Sequence, residues 1–81
     1  MEEITITLSY GGNEQEYICP KDWTIARVLS ESAAQGFLPS ATNYVVAKEK
    51  TEEALINSRT LEENGVQDGE VLNVGIPGKA G

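Results

Sequence analysis

Few of the 81 side chains are equipped for covalent or acid–base chemistry. Histidine is absent, which removes Ser-His-Asp and Cys-His catalysis together. One cysteine, Cys19, allows no internal disulfide and, without histidine, no four-ligand zinc site. Nothing near Cys19 in sequence would lower its pKa, and Pro20 follows it, so it reads as a buried structural thiol. The pairs Glu52-Glu53 and Glu62-Glu63 have the functional group of general acid–base catalysis. Adjacent acids in polar stretches read instead as solvated surface. Trp23 could anchor a partner, since tryptophan is enriched at binding hot spots, but closing one end of a core is the better reading. Lys21, Lys48, Lys50 and Lys79 read as exposed amines that could accept an acyl group. No catalytic constellation emerges, and the expectation is a protein that is not an enzyme.

Composition narrows the partners. Six basic residues against thirteen acidic ones give a formal charge of −7. Phosphate backbones and anionic membrane surfaces need clustered Lys and Arg, so neither is expected as the main partner. No apolar run reaches the roughly 18 residues of a membrane helix. The opening Met-Glu-Glu-Ile lacks the layout of a secretory signal. A cytoplasmic location is therefore expected. With 40% hydrophobic and 23% charged residues the chain reads as one small globular domain.

The elements that would position these groups follow from pattern. Ile4, Ile6 and Leu8 alternate with Thr5 and Thr7, predicting a half-buried strand over 3–9. Gly11-Gly12-Asn13 supplies positive-φ positions for a hairpin turn. The returning strand, 14–19, has two possible registers. Tyr17 and Cys19 facing inward is preferred to Ile18, because Pro20 ends the strand directly after Cys19. Ile25, Val28, Leu29, Ser32 and Ala33 share one face of a helix over about 24–35. Asp22 or Thr24 would cap it, and Gly36 would stop it. Tyr44 to Ala47 predicts a third strand, 48–53 a solvated loop, and Ala54 to Ile56 a very short edge strand. Thr60 with Glu63 predicts a capping box on a single helical turn, and Asp68-Gly69 a turn. Glu70 to Val74 predicts the last strand, with Leu72 and Val74 inward. The expected core is Ile4, Ile6, Leu8, Tyr17, Cys19, Ile25, Val28, Leu29, Leu61, Val66, Leu72 and Val74. The segment 75–81, with three glycines and a proline, predicts an unpaired mobile tail after a domain over 1–74.

Five pieces carry a likeness: the opening Ile-Thr-Ile-Thr-Leu, the Pro-Lys-Asp-Trp-Thr-Ile entry to the helix, Tyr-Val-Val-Ala, Arg59-Thr60-Leu61, and Gly65 to Val74. With them the chain resembles a ubiquitin-like protein over essentially its whole length, most like bacterial ubiquitin-like modifiers. The resemblance implies an α+β β-grasp roll: a mixed four- to five-stranded sheet with one α-helix across one face. It also implies a function. Gly81 would be the activated residue, reached through Gly78, Lys79 and Ala80, because glycine has no Cβ to obstruct the narrow channel of an activating enzyme. Ala80 departs from the terminal glycine pair of most members, and Pro77 and Gly78 depart from ubiquitin's own tail. The implied partners are an adenylating enzyme that uses ATP, a conjugating enzyme, a JAB-type peptidase and target proteins. The chain itself would hold no cofactor and would be a monomer when free. Tyr10, Val45, Asn73 and Gly75 fall at the positions of the family's receptor-binding patch on the open sheet face. Lys21, Lys48 and Lys50 would be the linkage sites if chains form. Gly65 to Val74 is also similar to the non-conjugated accessory proteins of type VII secretion, and a sulfur carrier is a third reading.

Overall fold

The computed structural model of the chain describes residues 2–39 and 44–76. Two strands open it: β1, Glu3–Tyr10, and β2, Asn13–Pro20, paired antiparallel with Tyr10 opposite Asn13. Only Gly11 and Gly12 separate them, at φ of 58° and 86°. Positive φ at both positions is the type I′ geometry whose twist matches the flanking strands. Tyr17 and Cys19 point inward, and Ile18 points out, so the preferred register forms.

The helix α1 covers Ile25–Ala34. Of the two candidate caps, Thr24 takes the role: its Oγ1 accepts from Arg27 N–H at 3.1 Å. Helix starts leave four backbone N–H groups without intrahelical partners. Ile25 N–H donates to Arg59 O and Ala26 N–H to Asn57 O, so a distant loop completes the cap. At the other end Phe37 N–H reaches Ser32 O while Gly36 N–H reaches Ala33 O. That is a Schellman closure, with Gly36 at φ 90° just beyond the last helical residue.

The remaining strands are β3, Val45–Lys48, and β4, Glu70–Gly75. The sheet order is β2-β1-β4-β3. β4 runs parallel to β1 and antiparallel to β3, which makes the sheet mixed. Helix α1 covers one face and contributes Ile25, Val28 and Leu29 to the core, with Ile6, Leu8, Cys19, Leu61, Val66, Leu72 and Val74 from around it. This is the β-grasp arrangement.

Several expectations need correction. Among the described residues the sheet has four strands, within the expected four to five, and the short edge strand expected at Ala54 to Ile56 does not form. Ala54 makes one isolated bridge to Ala47, and there the ladder stops. Asn64 captures both backbone groups of Ile56: its Oδ1 accepts from Ile56 N–H at 2.8 Å and its Nδ2 donates to Ile56 O at 3.0 Å. β3 begins one residue later than expected and ends at Lys48, which leaves the solvated loop to join the sheet. β4 extends to Gly75, opposite Val45, one residue past the expected domain boundary. Leu38 and Val46 are buried core residues that pattern reading omitted, while Ile4 and Tyr17 are only partly buried. The capping box forms in both directions, Thr60 N–H to Glu63 Oε1 and Glu63 N–H to Thr60 Oγ1. The turn it caps is too short to count as a helix.

Candidate functional site

The sheet face away from α1 is the surface that topology leaves uncovered. Strand side chains alternate between faces, so the buried set defines the open set. Ile6, Leu8, Val46, Leu72 and Val74 are buried. Their neighbours Thr5, Thr7, Ser9, Val45, Ala47, Val71, Asn73 and Gly75 therefore share the open face. Register places Asn73 between Ser9 and Ala47, and Val45 opposite Gly75. Three of the four expected patch residues, Val45, Asn73 and Gly75, thus come together. Tyr10 does not join them. It is in phase with Ile6 and Leu8 and packs against the core from the closed side.

A residue that pattern reading set aside is more exposed than Val45. Ile18 is 71% exposed, against 49% for Val45. It stands on the open face of the outer strand β2, opposite Thr5, with Glu16 opposite Thr7 and Glu14 opposite Ser9. The signal was in the sequence: placing Tyr17 and Cys19 inward forces Ile18 outward.

The other candidate groups are mostly occupied. Lys48 is not a free amine. Its Nζ donates to Gly65 O at 2.8 Å and lies 3.8 Å from a Glu70 carboxylate oxygen. Lys21 lies between Glu2 at 2.6 Å and Glu62 at 3.2 Å. The hydrogen bond and charge of Lys21 hold the Glu2 carboxyl below its usual range, and hydrogen bonds to Glu2 and Glu62 raise the lysine. Lys50 is exposed. Burial, and after it the negative charge of Glu3, pushes the Cys19 thiol up, which keeps it protonated at neutral pH and unreactive. Trp23 is partly buried against the core, with the Arg27 guanidinium 4.3 Å from its ring centre, a cation–π contact. Asp68 serves structure: its Oδ1 accepts from Thr5 N–H at 2.7 Å, while Gly69 N–H donates to Thr5 O.

An open groove of about 330 Å³ runs between Ile4, Lys21, Glu62, Val66 and Asp68. It places no nucleophile beside a base. Among the described residues no group of three or more His, Cys, Asp or Glu could hold a metal, and no helix is long and apolar enough to cross a membrane. Gly78, Lys79, Ala80 and Gly81 lie outside the described residues.

The sequence matches no protein-family profile and no curated protein. Solved structures do match. The ubiquitin of Caldiarchaeum subterraneum is 24% identical, with 95% of this chain and 100% of that one covered at a TM-score of 0.73. The N-terminal ubiquitin-like domain of the 4931431F19Rik protein is 16% identical, with 98% and 79% covered at 0.76. The EccD5 ubiquitin-like domain from Mycobacterium xenopi is 13% identical, with 93% and 94% covered at 0.64. Identities this low speak for fold alone, and with the sheet order and the one helix among the described residues they show that the chain carries the ubiquitin-like β-grasp fold.

Proposed function

We propose that the chain is a ubiquitin-like protein modifier of the bacterial kind, activated at the Gly81 carboxylate and joined to target proteins in the cytoplasm. The observation that carries this reading is a β-grasp core closing at Gly75, with the glycine-bearing sequence Ile76 to Gly81 directly after it. The chemistry belongs to the partners. On an adenylating enzyme the carboxylate attacks the α-phosphate of ATP and releases pyrophosphate. A partner thiolate then displaces AMP to give a thioester, and a target amine displaces the thiol to leave an amide. The chain supplies only a carboxylate on a residue without a Cβ and a folded surface by which enzymes and a JAB-type peptidase hold it. It needs no cofactor and no catalytic side chain of its own.

A second reading is a non-conjugated binding module, favoured by the likeness to the EccD5 ubiquitin-like domain. Intact mass separates the two after incubation with candidate activating enzymes and ATP. A modifier gives an ATP-dependent adenylate or thioester that disappears when Gly81 is deleted or when a residue is appended after it. Product formation with an amine, rather than with a sulfide donor, then distinguishes conjugation from sulfur carriage. No adduct with any candidate enzyme overturns the modifier reading and leaves the binding module.

A further inference from the structure

We infer that the β1–β2 half of the open sheet face is a docking surface for a protein partner that presents an apolar side chain flanked by lysine or arginine. The surface centres on Ile18, 71% exposed in the outer strand. Its lateral neighbour is Thr5, and along its own strand it is flanked by Glu16 and Pro20 on the same face. An exposed β-branched residue fits a pleated surface and leaves apolar area to bury.

The charge around Ile18 specifies the partner. Glu3, Glu14 and Glu16 share this face, and every other strand side chain on it is uncharged. Three acids elsewhere find cations: Glu2 and Glu62 hold Lys21, and Glu70 faces Lys48. Among the described residues no ion pair engages Glu3, Glu14 or Glu16. Glu14 and Glu16 are same-face neighbours two residues apart, and a cationic partner offsets their like charge and is steered toward the acidic face. The same charge argues against other occupants. A second copy would bring two sets of carboxylates together, and Pro20 with the glutamates guards the strand edge against self-pairing. Phosphate-bearing surfaces carry the wrong sign.

This surface is separate from the Val45, Asn73 and Gly75 positions. The order β2-β1-β4-β3 puts β2 and β3 at opposite edges. Three strand spacings make the separation about 14 Å. The inference does not depend on Gly81 or on conjugation.

The probe is a short acetylated peptide alternating lysine and valine, titrated into 15N-labelled full-length chain, with a glutamate-for-lysine peptide as control. Saturable amide shifts should centre on Thr5, Thr7, Glu16 and Ile18. Ile18→Thr should weaken binding roughly tenfold, the scale of one lost apolar contact. Glu14→Gln with Glu16→Gln should remove most of the salt dependence, and Val45→Thr should change nothing. All these positions are exposed, and a dispersed spectrum confirms that each variant folds. The inference is overturned by an absence of saturable shifts, by shifts centred on Val45 and Asn73, by equal binding of the acidic peptide, or by an Ile18→Thr variant that binds like the parent.

Discussion

Tyr17 Oη and Ser32 Oγ share a hydrogen bond of 2.8 Å that ties β2 to α1 beneath the open face. The two ends are unequally placed. Ser32 is fully buried, whereas Tyr17 is only partly so. Tyr17→Phe removes the hydroxyl that satisfies a serine shut away from water. An orphaned buried polar group costs about 1–3 kcal/mol. Ser32 can turn toward a carbonyl of the preceding turn, which places the expected loss near 1–2 kcal/mol. Ser32→Ala leaves the tyrosine hydroxyl partly open to water, and alanine regains about 0.5 kcal/mol of helix propensity. Its expected loss is below about 1 kcal/mol. In the double variant no group is orphaned, so it should be no less stable than Tyr17→Phe alone. Urea unfolding followed by fluorescence reads this directly, since Trp23 is the only tryptophan. Midpoints at constant m-value give the differences. A Ser32→Ala loss larger than the Tyr17→Phe loss, or losses that add in the double variant, would refute the reasoning.

Other outcomes follow from the same geometry. Leu61 is fully buried, and Leu61→Ala should cost about 2–5 kcal/mol. A chain this size has about 4–12 kcal/mol in all, so a cooperative melt that survives unchanged would be incompatible with this packing. Cys19 should resist a thiol reagent in native buffer and react within the dead time once urea unfolds the chain, with free labelling of the native state as the contrary result. The Glu2–Lys21 contact should add stability only between two limits. The lowered Glu2 pKa means its contribution is lost as pH falls through the carboxylate range, and the raised Lys21 pKa means loss as pH rises through the lysine range. Lys21→Gln should therefore lower the urea midpoint most at neutrality, by a small amount because the pair is exposed and screened, and the two proteins' midpoints should converge at both pH limits. Midpoint curves that run parallel for both proteins would contradict it.

Local pattern accounts for most of the elements because their causes are local. The phase of Ile4, Ile6 and Leu8 set β1, Gly11-Gly12 admitted a type I′ turn, and Thr24 with Gly36 bounded α1. Thr60 and Glu63 bonded each other within four residues, so their box was readable as written. The candidate surface was half legible. Alternation with the inward Leu72 and Val74 put Asn73 on the open face, the family likeness placed Val45 and Gly75 there, and the phase of β1 puts Tyr10 on the closed side. The family likeness, not the phase of the strand, had placed Tyr10 in the patch.

What the sequence by itself determined is therefore the β1–β2 hairpin and the helix, the inward register of Tyr17 and Cys19, the acidic charge, and the absence of histidine chemistry. Those depend on residue type and on spacings of two to four positions. Tertiary structure alone decided the rest. It stopped Ala54 to Ile56 from becoming a strand, through Asn64, and it took Lys48 out of solvent, through Gly65 and Glu70. It also left Glu3, Glu14 and Glu16 together on one face around Ile18. Each of these unites groups many residues apart, and such meetings are set by how the chain packs, which no local period encodes.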